Sequence, residues 1–344
     1  MGRTLLALAI LLALSIVAGA GNGDVPLPPG QIARALGHRV LPRIVPPPVD
    51  DPAAGLSGDT VSGIVWELRL PRVLLAALVG ASLSVAGVAL QGLLGNPLAD
   101  PFLVGVSAGA SVGAGAAILL GVAAALGGLA LPLCAFGAAL GTMAVVFALA
   151  RVGGRLHTAS VLLSGVVAGS FLSALMNLLL ALAGQDQARI LQWLLGYFGD
   201  ADWRRVALLF PVTLLGAILF AASGRGLDAF SFGEDTARSV GVEVERFKAG
   251  VLALSALMTA VAVAVSGIIG FVGLVVPHIG RSLIGPPHRP LVPVAALLGA
   301  TLTVLADLIA RTLRPGEGLP VGVVTALLGA PFFCYLLRRQ VVTQ

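Results

Sequence analysis

Residues 73–94 read VLLAALVGASLSVAGVALQGLL, and GNPLADP follows at once as residues 95–101. The first stretch carries no charged side chain. At 1.5 Å per helical residue it is long enough to cross a hydrocarbon core about 30 Å thick. The second stretch stops helix at Asn96-Pro97 and again at Asp100-Pro101, because the residue before a proline is pushed out of the helical region. A span followed by a sharp break is the unit that recurs in both directions along the chain.

Apolar windows between charged or Pro/Gly-rich breaks place further spans near 103–122, 126–150, 161–183, 206–222, 249–266, 268–284, 291–312 and 321–337. An apolar run in the first 21 residues, read as a retained helix rather than a cleaved signal, brings the expectation to ten. Trp193, Leu194, Leu195, Tyr197 and Phe198 form a short apolar piece of the interfacial or re-entrant kind. Between residues 22 and 66 apolarity drops and prolines cluster (Pro26, Pro28, Pro29, Pro46, Pro47, Pro48), so an extramembrane loop is expected there.

Composition agrees. The chain has 344 residues, 58% of them apolar and 11% charged, with a mean hydropathy of +1.01. Soluble domains run at about 45–50% apolar and about 25% charged. With 5% aromatics and 45 glycines, the chain also lacks the aromatic girdles of an outer-membrane barrel. The class is an all-α polytopic membrane protein, with residues 1–344 forming a single transmembrane domain. Its net charge of +5 belongs to loops, and no basic run interleaved with aromatics points to nucleic acid. The basic residues divide almost evenly between the two sides of a ten-span topology, leaving many arginines on the side opposite the termini.

Candidate chemistry is sparse. Asp307 is the one carboxylate deep in a predicted span, and Arg311 follows at i+4, the spacing of a same-face ion pair. The pair reads first as a device that settles a helix end. An ion-coupled carrier would want a second buried carboxylate or broken half-helices at the midplane. A lipid-modifying enzyme would want a polar catalytic cluster. His38, His157, His278 and His288 are scattered, and Cys134 and Cys334 lack metal or redox spacing, so no metal site is expected. The single lysine, Lys248, does not follow a GxxxxG loop, so the chain has no phosphate cradle of its own.

Three local patterns rise above composition. GNPLADP is either a tight polar turn or a constriction whose Asn96 and Leu98 project into a passage, since irregular backbone at membrane depth is tolerated where it lines a cavity. SFGEDTARSVGV, residues 231–242, suits a short amphipathic helix outside the membrane, with Ala237 and Val240 as its apolar edge and Gly241 as a C-cap. GFVGLVVPHIGRSLIG, residues 270–285, is a crowded glycine-rich helix broken or kinked at Pro277.

Taken in order, these segments resemble the permease subunits of type II ABC importers, the family that brings vitamin B12, ferric siderophores and haem across the bacterial inner membrane. The resemblance runs from LRLPRVLLAALVGASLSVAGVALQGLLGNPLADPFLVGVSAGA (68–110) through LLSGVVAGSFLSALM (162–176), GEDTARSVGV and GFVGLVVPHIGR to LPVGVVTALLGAPFF (319–333). It implies a homodimer working with two ATP-binding cassette subunits, which hold the ATP and magnesium, and with a periplasmic or lipid-anchored substrate-binding protein. It also implies a multi-pass inner-membrane location with cytoplasmic termini, and no cofactor or catalytic residue in this chain. Position by position, it implies gates at Asn96 and Leu98 and at Thr158 and Ala159, the last standing where the vitamin B12 permease has a small hydroxyl residue. It implies ATPase coupling in a cytoplasmic loop over residues 226–248 through Glu234, Ala237, Arg238 and Gly241. Arg69, Arg72 and Arg311 match basic residues that the family presents to acidic groups of the binding protein. The expected cargo is a bulky metal chelate, a ferric siderophore ahead of cobalamin or haem, moved by alternating access. The Pro-rich region is longer than the family pattern needs and is expected to be disordered or to lie on the periplasmic surface.

Overall fold

The computed structural model describes every residue except 24–26, 51–55, 123–127, 153–154, 314–317 and 343–344. Among the described residues, seven helices are long and apolar enough to span a membrane: α1 (Gly2–Gly21), α4 (Leu70–Leu94, continuous with the turns before it), α6 (Ala130–Ala150), α7 (Thr158–Leu182), α9 (Trp203–Ala222), α12 (Val244–Ser266) and α14 (His288–Leu313). Three shorter apolar helices, α5 (Val106–Leu119), α13 (Val272–Ile284) and α15 (Val321–Val342), fall where the remaining spans are expected. The all-α polytopic reading holds. A short antiparallel ribbon that the apolar windows do not foresee, β1 (Arg151–Val152) with β2 (Arg155–Leu156), stands just before α7.

The loop expected over residues 22–66 is partly helical. Pro29 opens α2 (Pro29–Val40), where its missing N–H is harmless, and Ser57 caps α3 (Gly58–Gly63) by accepting the Thr60 N–H. A π-helical stretch, Ile64–Arg69, then leads into α4, just ahead of Pro71, which has no N–H to offer the preceding turn. Leu27, Ile32, Ala35, Val61 and Val65 close a small apolar core of their own. Trp66 fastens it: its indole Nε1 donates to the Ala35 carbonyl at 2.9 Å, while Trp203 donates to the Trp66 carbonyl at 2.9 Å, the two rings stacking 6.0 Å apart. The described residues of this region therefore form a folded cap and not a disordered stretch.

At the centre of the bundle stands α4, packed by α14, α12, α9 and α13. Its glycines set the approach. A Cβ on Gly87 would come within 1.9 Å of the Gly273 carbonyl oxygen, and one on Gly80 within 2.1 Å of that of Gly299. Without a hydrophobic drive between helices in lipid, such small-residue contacts supply the dispersion that holds them. By contrast α7 lies at the edge, only 11% of its apolar window being buried.

Between α12 and α13 the chain leaves the helix over residues 267–271, with Gly267 and Phe271 both at positive φ. The gap is filled by the piece after the short helix α8 (Gln187–Leu194). Tyr197 N–H donates to the Ser266 carbonyl at 2.8 Å, and the start of α15 donates back, Val321 N–H to Gly196 and Gly322 N–H to Leu195. Non-helical backbone at Leu195, Gly196 and Tyr197 is thus partnered inside protein, where membrane supplies no water.

Candidate functional site

The first break closes α4 with Gly95 in the left-handed region at φ 57°, and the Asn96 N–H bonds back to the Gln91 carbonyl at 3.2 Å, the glycine-terminated helix end. Asn96 Oδ1 accepts the Leu98 N–H at 2.9 Å, so the side chain that could line a passage also shapes its own turn. Asn96 and Leu98 are both exposed. Asp100 Oδ1 caps the 3₁₀ turn Pro101–Val104 through the Phe102 N–H at 2.8 Å. Burial pushes the Asp100 carboxyl up from its ordinary range, and that backbone bond partly offsets the shift.

Behind this break Gln91 ties three pieces together. Its Nε2 faces the carbonyls of Ala99, Gly273 and Leu274 at 3.3–3.4 Å, and its Oε1 accepts from Arg281 of α13 at 2.5 Å. A cleft of about 370 Å³ opens beside it, lined by Gly95, Pro97, Ser231, His278 and Arg281 among others. Asn96 and the segment after α9 therefore share one end of the bundle.

That segment folds as α10 (Gly224–Phe230) and α11 (Glu234–Ser239). Gly233 at φ 105° and Gly241 at φ 86° bracket α11, both with open space where a Cβ would stand. Ala237, expected on the apolar edge of this helix, is fully buried and packs α11 against the body. Val240, in the cap that ends the helix, is 65% exposed, and Phe232, two residues before it begins, is 79% exposed. Arg238 pairs with Asp235 at 2.8 Å on the surface. Two links run inward. Asp228 Oδ1 accepts the His288 backbone N–H at 2.9 Å and lies 2.6 Å from its Nδ1, and the His288 ring rests on Gly92, where a Cβ would meet Nε2 at 2.3 Å. Glu234 reaches Lys248.

The second expected gate lies at the start of α7, where Ala159 is exposed. The Thr158 side chain lies outside the described residues. Leu156, two residues earlier, is held on both sides of its peptide: its N–H donates to Glu245 Oε2 at 3.0 Å and its carbonyl accepts from Lys248 Nζ at 2.7 Å. The structure thus brings both breaks and the α10–α11 segment to the same end.

The arginines expected to face a partner protein are turned inward at the opposite end. Arg69, 6% exposed, donates through Nη1 to the carbonyls of Ala20 and Gly21, where α1 runs out of partners for its last carbonyls. Arg72 meets Asp307 and lies over the Tyr197 ring. Arg311 lies 3.1 Å from Asp307 through Nε and donates to the carbonyls of Gly19 and Asn22. The i,i+4 pair of Asp307 and Arg311 is present, and Arg72 completes it from α4. Charge in low dielectric is tolerated when paired and hydrogen-bonded, which is why these groups fold in rather than point out. A carboxylate already facing two guanidinium groups is also a poor cation carrier.

Comparison with known proteins agrees with this architecture. The FecCD transport family matches residues 7–339. The chain is 45% identical over 331 residues to an uncharacterised ABC transporter permease, YvrB, of Bacillus subtilis, covering 96% of this chain and 91% of that protein. It is 43% identical to a cobalamin import system permease, BtuC, of Halobacterium salinarum (83% and 76% covered) and 42% identical to a hemin transport system permease, HmuU, of Yersinia pestis (80% and 84%). A solved chain described as a metal-chelate type ABC transporter in an inward-facing conformation superposes with a TM-score of 0.82 at 31% identity, covering 98% of this chain and all of that one. With the apolar helices of its described residues in the expected order and this match along nearly its whole length, the chain belongs to the FecCD transport family and is a permease of the type II ABC importer class.

Proposed function

We propose that this permease works as a homodimer which moves a ferric chelate into the cytoplasm by alternating access, driven by two separate cassette ATPases and fed by a substrate-binding protein. The observation that carries the reading is the meeting of the two chain breaks and the α10–α11 segment at one end of the bundle, tied by Asp228–His288 and Glu234–Lys248. That is the arrangement by which a motor under α11 would act on Asn96, Leu98, Thr158 and Ala159. Phe232 and Val240 supply the apolar surface a cassette would cover, with Glu234, Arg238 and Gly241 shaping the helix that presents it.

The permease supplies contacts that differ between two states, not bond chemistry; ATP binding then biases which state is populated. The sparsely buried α7, with Leu163, Val167 and Phe171 exposed, offers the surface for a second copy around the shared passage. The α1–α4–α14 arginine end would face the periplasm, with the first residues of α1 and the last of α15 in the cytoplasm. There the binding protein would dock on a surface that Arg69, Arg72 and Arg311 hold in shape. Relatives named for cobalamin and hemin import support a bulky chelate as cargo.

Reconstitution in liposomes with the cassette and binding proteins tests this directly, using ferric dicitrate, haemin and cyanocobalamin as probes. Uptake of the iron chelate that stops without ATP is the expected result. Uptake that persists without the cassettes would overturn the reading.

A further inference from the structure

Lys248 sits in the second turn of α12 with only 4% of its side chain exposed. An ammonium has three donors and no acceptor, and here all three directions are used. Nζ lies 2.7 Å from the Leu156 carbonyl, 3.1 and 3.2 Å from the two Glu234 carboxylate oxygens, and 3.2 Å from Glu245 Oε1. Those partners belong to three separate pieces of chain: the β2 end that leads into α7, the coupling helix α11, and α12 itself. Glu245 also accepts the Leu156 N–H, so the peptide two residues before Thr158 is gripped from both faces by α12.

Gly233 and Gly241 bracket α11, and Ala237 packs it to the body. Desolvating a lysine is expensive unless its partners answer it, and the site answers it with two carboxylates that would otherwise face each other. Removal of the ammonium leaves Glu234 and Glu245 in mutual repulsion and the Leu156 carbonyl without its donor. The break would fall at the joint between α11 and the start of α7.

We propose that Lys248 is a positioning residue, a strut that couples displacement of α11 to the backbone at Leu156 and so to the gate at Thr158 and Ala159. The proposal rests on the importer reading and deepens it: of the two breaks, this one is joined to the coupling helix through a single side chain.

The test uses the full permease with its cassettes and binding protein in liposomes, measuring uptake of ferric dicitrate, haemin and cyanocobalamin together with ATP hydrolysed. Lys248→Met is expected to lower substrate moved per ATP by roughly tenfold, within the usual range of coupling energies, and Lys248→Arg to restore most of it. Size-exclusion of the assembled complex separates this from failed assembly, since a purely structural role would lower assembly and leave the ratio of surviving complexes unchanged. A wild-type ratio in assembled Lys248→Met overturns the strut alone. A wild type showing no ATP-dependent uptake of any probe takes the importer reading and the strut down together. Where Lys248→Met does not accumulate, Glu245→Ala, on a half-exposed carboxylate, carries the same test: a lowered ratio supports the strut and an unchanged one overturns it.

Discussion

Arg72 meets Asp307 side-on, its Nη2 2.8 Å and its Nε 3.1 Å from Oδ1, and the contact joins α4 to α14 across 235 residues of sequence. Arg311 approaches the other carboxylate oxygen at 3.1 Å. Replacement Asp307→Asn leaves two largely buried guanidinium groups with no counter-charge. Breaking a buried pair from one side costs about 3–5 kcal/mol. We expect a clearly lowered unfolding temperature in detergent and less protein in the membrane. An unchanged transition would remove this trio from the list of structural contacts.

Gly87→Ala should be far more damaging than its size suggests. Its Cβ would meet the Gly273 carbonyl at 1.9 Å, so α4 and α13 must part, and overpacking of this kind costs about 1–3 kcal/mol. Gly250→Ala, on the same scale of change, meets nothing within 4 Å, and the better helix propensity of alanine should leave stability level or slightly raised. Thermal unfolding of the two variants side by side checks the contrast.

Gly241→Arg acts through the backbone. The site is spacious, but φ is 86°, and a left-handed conformation costs a side-chain-bearing residue about 1–2 kcal/mol. The variant should insert and fold, with the presented conformer of α11 populated roughly five- to thirty-fold less. Co-purification of the cassette ATPase should fall in step. Full recovery of the ATPase would separate Gly241 from coupling.

Phe232→Ala and Val240→Asp probe the same surface from its apolar side. Both side chains stand exposed beside α11 and touch too little to matter for folding. An aromatic anchor at an interface typically carries more than about 1 kcal/mol, so cassette affinity should drop by close to an order of magnitude at unchanged melting temperature. Titration of the purified permease with its cassette reads both numbers.

Much of this fold is written openly in the chain, since each apolar run is long enough to be a span whatever surrounds it. The Asp307–Arg311 pair is equally open, being one turn apart on a single helix. Helix α2 is harder to see because prolines dominate its neighbourhood, although Ile32, Ala35 and Leu36 keep the i, i+3, i+4 spacing of an amphipathic helix and Pro29 marks its start. The inward turn of Arg69 leaves no trace at all: its acceptors are backbone carbonyls of Ala20 and Gly21, and a carbonyl looks the same at every position. Lys248 is half legible. Glu245 at i−3 can be paired with it on paper, whereas Leu156 and Glu234 meet it only through the tertiary fold.

The cross-bonded level where residues 195–197 fill the gap at 267–271 and receive the first turn of α15 gives the molecule a mechanical middle. Three hydrogen bonds add to the packing of α15 on its neighbours in that layer, and the Arg72–Asp307–Arg311 trio ties α4 to α14 as well. Under the proposed importer reading, a push at α11 would be resisted by these tied layers, and motion would concentrate at the chain breaks holding Asn96 and Ala159, which take no part in those bonds.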